Sequence, residues 1–597
     1  MADVFVNPYT FVPFPKAGKS VSNLTNVTEP LFSGEIKCRL ITRTQIAVPD
    51  LLKNPVRGGN ENDRTEPKKY DFFNIDGKAA IPSSGIRGVI RSVYEVLTDS
   101  CMHLNDKDDD YFHSRVNKTE PGIITYDKQN GYVLGYAERI RDKTKSRYKT
   151  GDIVRFNSKP GNNTDLVESF SDSGTYKGVY LRVDTFGKGA KASNPSVFVF
   201  KKKGQTVKLD KVYVDRLKAN VDMYEGKYKA DYQKAIDRME KDGGWLPVWF
   251  WVDEKTGHYY LAPSQYSRAV FVNKPRDLVE KANMQHCTSQ KECCAACALF
   301  GFIGDGKDEF RSRASRVRFT DALCETADCF DGSYILPVLS TPRLSSFEFY
   351  LDSNGQKKFG PDSANVNIAG RKFYWHAPQN EIHSDDDFGR EHPKMATKMQ
   401  LVKKGCEFTF SVFFDKITDE QLKKLVFALN LGENNRSSAR CHKIGHGKPV
   451  GLGSVKIVAE QVTKRSFNGG VYSVDDVTEE IVGAANIALF RSTPEFNSFM
   501  TKVVNLNYAA KYDVDYPRKD KGGDIFEWFA DNRGSLRSKG YIEVNNFLPK
   551  ITDSDPTLTR SPKPEKAEDS RNNGGNRNGS GGFNRNGGQN YRGWSKR

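Results

Sequence analysis

Hydrophobic positions recur at helical spacing in two stretches of the chain. The first stretch, residues 81–100, carries apolar side chains on one helical face at Ile86, Val89, Ile90, Val93 and Leu97. Ser83 or Ser84 is its predicted N-cap. In the second stretch, residues 417–431, Thr418 and Gln421 have the spacing of a capping box. Its apolar face comprises Leu422, Leu425, Val426 and Leu429.

Alternating hydrophobic and polar residues predict strands around these helices. Residues 34–48, 315–323 and 406–415 read as strands, and a glycine-rich turn leads into a last strand within 447–462. The resulting order is strand, helix, strands, helix, strand. This is the βαββαβ order of the ferredoxin-like, or RRM-like, fold. We therefore predict an α+β protein with such a core.

Roughly 190 residues, 99–286, interrupt this order after the first helix. They are rich in strand and turn signals, and in residues 244–264 two aromatic strands flank a turn. We expect these aromatic side chains to form a hydrophobic core rather than to stack on bases. The segment is thus predicted to be a β-rich insertion, within which a second, degenerate ferredoxin-like unit could lie.

Charge adds a candidate partner. The 597 residues include 91 Lys and Arg against 75 Asp and Glu, a net charge of +16, which favours an anionic partner such as nucleic acid. Residues 571–597 contain eight Gly, seven Asn, six basic residues and no acid. This composition predicts a disordered basic tail. Its Phe583, Tyr591 and Trp594 stand among arginines, as in tails that stack on RNA bases.

These patterns divide the chain into five parts. They are a first part of the core (1–98), the insertion (99–286), a second part of the core (287–470), a C-terminal extension (471–560) and the tail (561–597). No apolar run approaches 18 residues, and the first residues lack the basic and apolar regions of a signal peptide. We therefore expect a cytoplasmic protein that makes no membrane contact.

A cysteine group is the sharpest local signal. Four of the ten cysteines, Cys287, Cys293, Cys294 and Cys297, lie within eleven residues and next to His286. Cys294 and Cys297 have the spacing of a zinc knuckle, and Cys287 supplies a third thiolate. Either Cys293 or His286 would be the fourth ligand, since adjacent residues rarely point at one ion. A closed thiolate site of this kind predicts a structural Zn²⁺.

Two further features suit phosphate groups. The glycine-rich segment 445–453 would let backbone N–H groups approach a phosphate, with Lys448 adding a positive charge, although a tight turn explains it equally well. Arg87 and Arg91 follow the predicted start of the first helix, where an anion is favoured. Solvated surface positions explain these arginines equally well.

Five separated motifs together resemble a known family. In chain order they are IPSSGIRGVIRSVYE, CCAACALFG, SRVRFTDA, LSTPRLSSFEFY and HKIGHGKPVGLGSV. This order is similar to that of CRISPR-associated RAMP proteins, in particular the backbone-subunit branch of type III effector complexes. AGRKFYWH (369–376) resembles a segment of a subfamily of large RAMP proteins. The resemblance covers about residues 33–100 and 285–460.

The resemblance implies a subunit that grips guide RNA through its backbone, next to complementary target RNA and other CRISPR effector subunits. In such proteins the helix after the SSG turn and the glycine-rich loop line the RNA groove. The corresponding positions here are Ser83, Ser84, Arg87, Arg91, Lys448, Gly451 and Gly453. The cysteine knuckle is a zinc site in relatives.

Cleavage of target RNA is a further implication. In several family members an aspartate before the SSG helix acts with a divalent metal such as Mg²⁺ or Mn²⁺, helping to align the ribose 2′-OH for attack on its phosphate. The matching loop here is 49–76, in which position favours Asp63 and then Asp71. The family's Gly-x-Asp-x-Pro arrangement is absent, so the resemblance leaves this endoribonuclease activity open.

Two other functions remain open. A RAMP-type endoribonuclease that processes precursor guide RNA would use acid–base groups without a metal, for which His442, His446 and Lys448 are candidates. A free-standing RNA-binding accessory protein would bind mainly through its tail.

Overall fold

A computed structural model gives the fold of the chain. It describes residues 3–562 except 52–64, 104–110, 116–118, 145, 163, 183–194, 202–203, 225–226, 253–256, 266–267, 272, 305–308, 340–346, 353, 355, 357, 361, 364, 519–524 and 535–541. The predicted catalytic Asp63 and the tail aromatics therefore lie outside the described residues.

The described α-helices are, in chain order, α1 (Ser83–Leu97), α2 (Lys211–Asp222), α3 (Lys227–Asp242), α4 (Pro275–Lys281), α5 (Ala295–Phe300), α6 (Phe347–Tyr350), α7 (Asp387–Glu391), α8 (Asp419–Asn430), α9 (Thr478–Ala484), α10 (Pro494–Ser498) and α11 (Ile525–Asn532). Together with the strands below, they confirm the predicted mixed α+β class.

The first seventeen strands are β1 (Val4–Val6), β2 (Tyr9–Val12), β3 (Phe32–Thr42), β4 (Lys68–Tyr70), β5 (Asn74–Ile75), β6 (Lys78–Ile81), β7 (His113–Arg115), β8 (Glu120–Asp127), β9 (Gly131–Arg141), β10 (Ile153–Lys159), β11 (Leu166–Phe170), β12 (Tyr176–Leu181), β13 (Ser196–Phe200), β14 (Thr206–Leu209), β15 (Trp245–Val252), β16 (Tyr259–Ala262) and β17 (Arg268–Val270).

The remaining strands are β18 (Phe302–Ile303), β19 (Ser312–Arg313), β20 (Val317–Phe319), β21 (Ala322–Cys324), β22 (Phe330–Ile335), β23 (Leu351–Asp352), β24 (Lys358–Phe359), β25 (Asn367–Ile368), β26 (Arg371–Tyr374), β27 (Thr397–Val402), β28 (Glu407–Ile417), β29 (His442–Lys443), β30 (Ser454–Asn468), β31 (Val471–Asp476), β32 (Arg533–Gly534), β33 (Ile542–Val544) and β34 (Thr557–Thr559).

One nine-stranded sheet joins segments from both ends of the chain. Its order is β29-β30-β3-β28-β21-β6-β5, with β20 also on β28 and β31 on β30. The four main positions of the sheet are β30, β3, β28 and the pair β20 and β21, and neighbouring positions are antiparallel. Along the chain, α1 lies between β3 and β20, and α8 lies between β28 and β30. The two helices pack against each other. This places the residues after β3, before α1 and before β30 in one region of the sheet.

Local sequence explains why these elements form. Alternate residues of β3, from Gly34 to Thr42, are buried, as expected for a strand with one face on the core. Thr418 and Gln421 form the predicted capping box of α8, with Thr418 as its N-cap. The prediction of a serine N-cap for α1 is wrong, because the N-cap is Pro82 and the helix begins at Ser83.

Residues 120–262 build a second sheet with its own core. Its strands run in the order β11-β10-β12-β13-β9-β8-β15-β16, with β14 also on β9. The predicted aromatic hairpin is present as β15 and β16. Trp249 and Phe250 are buried in a cluster with residues of α2 and α3, as expected for core aromatics rather than exposed stacking platforms.

The two ends of the described chain are joined. β1 pairs antiparallel with β34. The nearly buried guanidinium of Arg560 ion-pairs with Asp3, Asp513 and Asp515 at 3.4, 2.6 and 3.5 Å. The first and last described strands therefore lie side by side in one small sheet.

Candidate metal centre and nucleic-acid interface

Four buried cysteines converge, one shortly after α1 and the other three from Cys287 to α5. The Sγ atoms of Cys101, Cys287, Cys294 and Cys297 all lie within 4.8 Å of one another. Cys101 Sγ is 3.5 Å from the Sγ atoms of both Cys294 and Cys297. Four thiolates around a tetrahedral zinc, with Zn–S bonds of about 2.3 Å, would be separated by about 3.8 Å. The donor set and its spacing fit such an ion.

The membership of this group corrects the predicted ligand set. Cys287, Cys294 and Cys297 are in it, but the fourth member is Cys101 rather than Cys293. Cys293 has extended backbone angles, φ −114° and ψ 130°, so its side chain points away from that of Cys294. His286 also lies outside the group.

Backbone donors surround the sulfur atoms. The N–H of Cys294 donates to Cys287 Sγ at 3.2 Å, and the N–H of Cys297 donates to Cys294 Sγ at 3.5 Å. Hydrogen bonds from the other three thiols hold the pKa of Cys294 below its ordinary value. The same coupling raises the pKa of Cys297. The four thiols therefore interact as one hydrogen-bonded group next to the N-terminus of α5.

Two arginines and one glutamate brace the cysteine group. The Nε of Arg91 donates to Glu95 Oε1 at 2.9 Å, and another of its nitrogens lies 3.9 Å from Cys297 Sγ. Arg371 donates to Glu95 Oε2 at 2.8 Å and to the carbonyl of Cys101 at 2.7 Å. Such outer contacts fix the ligands of a metal and balance thiolate charge. Sequence reasoning missed Cys101, Glu95 and Arg371, although Arg371 belongs to the AGRKFYWH segment.

The predicted phosphate site at the start of α1 already binds a carboxylate of the protein itself. The N–H of Ser83 donates to the Asp321 carboxylate at 2.6 Å, so an internal anion occupies this helix N-terminus. Arg87 donates to the Phe300 carbonyl at 2.6 Å, and burial lowers the pKa of its guanidinium. Of the predicted helix residues, Ser84 is exposed, whereas Arg87 and Arg91 face α5.

Hydrogen bonds to other groups of the protein hold the glycine-rich loop in its conformation. The N–H of Gly453 donates to the Gln45 carbonyl at 2.8 Å, and that of Gly451 to the Lys448 carbonyl at 3.3 Å. The Nζ of Lys443 donates to the carbonyls of Gly451 and Leu452 at 2.9 and 2.8 Å. Burial lowers the pKa of Lys443 to about 7. The amides of Gly451 and Gly453 thus form the loop rather than reaching outward to a phosphate.

Among the charged residues predicted to bind RNA, Lys448 is the one whose side chain stays available in the described part of the chain. It begins a 3₁₀ turn, Lys448–Val450, and its side chain is half-buried. Burial lowers the pKa of its ammonium group. In the part of the chain that the structure describes, this ammonium forms no hydrogen bond or ion pair. A cation in this state retains its capacity to bind a phosphate.

The acid-rich loop begins beside the glycine-rich loop. The N–H of His446 donates to the Ala47 carbonyl at 2.8 Å, and the N–H of Asp50 donates to the Asp71 carbonyl at 2.9 Å. The Asp71 carboxylate is exposed and lies 4.0 Å from Lys69 Nζ. The structure therefore brings Asp71 near the base of the loop that contains Asp63.

The alternative acid–base residues are placed differently from one another. His442 is buried, its Nε2 lies 2.9 Å from the Leu429 carbonyl, and burial lowers its pKa to about 4. Burial also lowers the pKa of His446 in the loop. A histidine enclosed like His442 has no access to a substrate phosphate.

We expect Gly453→Ala to lower the free energy of unfolding by about 3 kcal/mol, because Gly453 has φ +82° and an added Cβ would lie 1.9 Å from the Ile444 carbonyl oxygen. Gly470→Ala is the control, since Gly470 has φ +83° but no atom within 4 Å of the added Cβ. Its cost is expected to be about 1 kcal/mol. Denaturant titration of both variants measures the difference, and equal losses would contradict the assigned loop packing.

Three comparisons relate the chain to known proteins. Residues 52–244 and 268–456, together more than half of the chain, match the model of the RAMP superfamily. A search of curated proteins finds no match. The crystal structure of Thermofilum pendens Csc2 is similar at 12% identity over 72% of this chain and 90% of that chain, with a TM-score of 0.14.

None of the helices in the described ranges is long and apolar enough to cross a bilayer.

Proposed function

Because the chain belongs to the RAMP superfamily, we propose that it binds guide RNA as a subunit of a type III-like CRISPR interference complex. The observation that carries this proposal is the family match over residues 52–244 and 268–456, which include the four clustered cysteines and the whole glycine-rich loop. The net charge of +16 supports an anionic partner of this kind. Complementary target RNA and other CRISPR effector subunits are the further partners that this role requires.

We also infer that the core sheet is ferredoxin-like. Its four main positions run β30, β3, β28 and β20/β21, which is the order 4-1-3-2 when the strands are numbered along the chain. The crossovers contain α1 and α8, as the βαββαβ plan requires. This arrangement supports the interpretation that the long insertion was accommodated after α1 without changing the order of the sheet.

RNA would lie along the region where the loops at 43–50 and 445–453 meet. Lys448 offers an unpaired ammonium group there, and the internally bonded glycines keep the loop in one shape. A rigid loop with one available cation contacts a phosphate without reading a base. Such contacts suit a guide, whose own base pairing supplies specificity.

We expect Lys448→Ala to weaken binding of single-stranded RNA by about fivefold and to reduce the slope of log K against log salt by about 0.7, the value for one phosphate contact on a single strand. Lys424→Ala is the control, because the Lys424 ammonium is already paired with Glu420 one helical turn away on α8. Fluorescence anisotropy at several salt concentrations measures both variants. Equal losses for the two lysines would contradict a specific contact at Lys448.

The cysteine group fits a structural zinc ion, held by Cys101, Cys287, Cys294 and Cys297. With four thiolates bound, the ion would have no open position and would supply cross-linking rather than catalysis. The chain's own Arg91 and Arg371 would balance part of the thiolate charge and hold Cys297 and Cys101 in place.

Cleavage of target RNA is a second candidate function, favoured by the position of the acid-rich loop. Asp50 and Asp71, described residues on either side of Asp63 in the sequence, are joined by a backbone hydrogen bond beside the glycine-rich loop. With Mg²⁺ or Mn²⁺, Asp63 or Asp71 would support attack by the ribose 2′-OH. Loss of cleavage in Asp63→Asn and in EDTA would support this role. Cleavage that persists in EDTA would support a metal-independent processing enzyme instead.

The guide-binding role is tested by purifying the protein with its neighbours from its native host and sequencing the RNA that co-purifies. Discrete short RNAs that share a repeat-derived end are expected. Heterogeneous RNA, or none, would overturn guide binding. Removing residues 571–597 should then only weaken RNA binding, whereas near-complete loss would identify a free-standing RNA-binding protein that uses its tail.

A further inference from the structure

A cavity lies on the side of the molecule where the described chain ends. It has a volume of about 300 Å³, and Phe11, Phe349, Leu351 and Phe547 contribute its apolar surface. Phe11, Phe349 and Leu351 are buried, so these side chains form a well-packed floor of the cavity. A cavity at the small end of the ligand range suits one aromatic side chain.

The cavity also carries negative charge. Asp352, Asp553, Asp555 and the buried Glu348 line it together with a single lysine, Lys550. Lys550 is paired with Asp352 at 2.8 Å. Within the described residues, neither Asp553 nor Asp555 forms an ion pair; each carboxylate instead accepts a backbone N–H, from Lys550 and Thr557 respectively. An apolar floor with unpaired carboxylates at its rim is complementary to an aromatic side chain flanked by cations.

The chain contains such a segment. Residues 591–597, YRGWSKR, place Trp594 between Arg592 and the pair Lys596 and Arg597, and they contain no acidic residue. They lie outside the described residues, which end at position 562. Seven residues separate Asp555 from that point, a span of at most about 24 Å. A random coil as long as residues 563–594 has a root-mean-square span of about 30 Å, so this length of chain is enough for Trp594 to reach the cavity.

We propose that this cavity binds Trp594 of the chain's own C-terminal tail, with Asp553 and Asp555 pairing with the flanking basic residues. The inference does not rest on guide binding, since it depends only on the cavity and on the composition of the tail. It follows that the tail binds to the folded part of the chain when the tail is not bound to RNA.

The test uses the full-length chain, treated with nuclease, with the photo-crosslinker p-benzoylphenylalanine in place of Trp594. Irradiation of dilute protein is expected to give intramolecular crosslinks to peptides 347–352 and 547–555, identified by mass spectrometry. The same crosslinker in place of Ser580, which has glycine on both sides, is the control and should not label these peptides. Crosslinks spread over many surfaces, or confined to other peptides, would overturn the proposal.

A charge variant makes the test specific. Asp553→Asn with Asp555→Asn removes two charges but keeps oxygen atoms that accept the same backbone N–H groups, so the fold should be retained. The crosslinking yield should fall about fivefold, as expected for two partly exposed ion pairs. Asp172→Asn with Asp237→Asn removes the same charge from exposed positions in the insertion and should leave the yield unchanged. Equal yields in all three proteins would also overturn the proposal.

Discussion

Cys101→Ser is expected to lose the metal that we propose for the cysteine group, whereas Cys293→Ser is expected to keep it. Cys101 Sγ lies 3.5 Å from two other sulfur atoms of the group, while the Cys293 thiol is directed toward the Cys294 carbonyl. Removing one of four thiolates from a closed site should weaken metal binding by at least about 100-fold, because structural zinc contributes most of the folding energy of such sites. Both cysteines are buried, so the two variants are matched in packing.

Metal content per chain, measured by mass spectrometry after dialysis, distinguishes these variants, and the same measurement identifies the ion. We expect about one ion per chain in the parent protein and in Cys293→Ser. The Cys101→Ser protein should also unfold at a lower temperature than the other two. Full metal content in Cys101→Ser, or its loss in Cys293→Ser, would contradict the assigned ligand group.

Glu95→Ala is expected to lower the free energy of unfolding by about 3 kcal/mol or more. The Glu95 side chain is only 10% exposed and pairs with both Arg91 and Arg371. Removing it would leave two largely buried guanidinium groups without their carboxylate, which is the costly way to break a buried ion pair. It would also free Arg91 and Arg371 from their positions beside Cys297 and Cys101, so metal affinity should fall by about 10-fold or more.

The matched control is Glu420→Ala on α8. Glu420 is 59% exposed and is paired with Lys424 one helical turn away. Exposed pairs of this kind contribute about 0.5 kcal/mol or less. Denaturant titration and metal competition with a chelator measure both variants. Similar stability losses for the two glutamates would contradict the bracing role of Glu95.

The core elements were predictable because their signals are local. The capping box at Thr418 and the apolar face behind it define α8 within fifteen residues of sequence, and the structure has this helix at Asp419–Asn430. The strand at 406–415 is found as β28, Glu407–Ile417. The alternation in 34–48 located β3 but extended it too far, since the strand ends at Thr42. Beyond it, Ile46 and Ala47 form only isolated bridges, to Val402 at the end of β27 and to His446 in the glycine-rich loop.

The candidate sites were harder to predict because they depend on contacts that are distant in sequence. Cys101 and Cys287 flank the whole insertion, and a cluster search in sequence finds only Cys287 and its near neighbours. Because an inserted domain must return to its starting point, residues at its two ends are close in space, and this reasoning would have identified Cys101. Arg87 and Arg91 were predicted to bind phosphate because the sequence alone does not show that α5 packs beside them.

The pairing of β1 with β34 has a consequence for how the protein is made. During synthesis Val4–Val6 leaves the ribosome long before Thr557–Thr559, by roughly 30 to 110 s at about 5 to 20 residues per second. Strand β3 likewise waits for β28 and β30, whereas the sheet of residues 120–262 has all its strands much earlier. In the nascent chain the sheet of residues 120–262 therefore has its partner strands first, whereas the edges of β1 and β3 stay unpaired until the last part of the chain emerges.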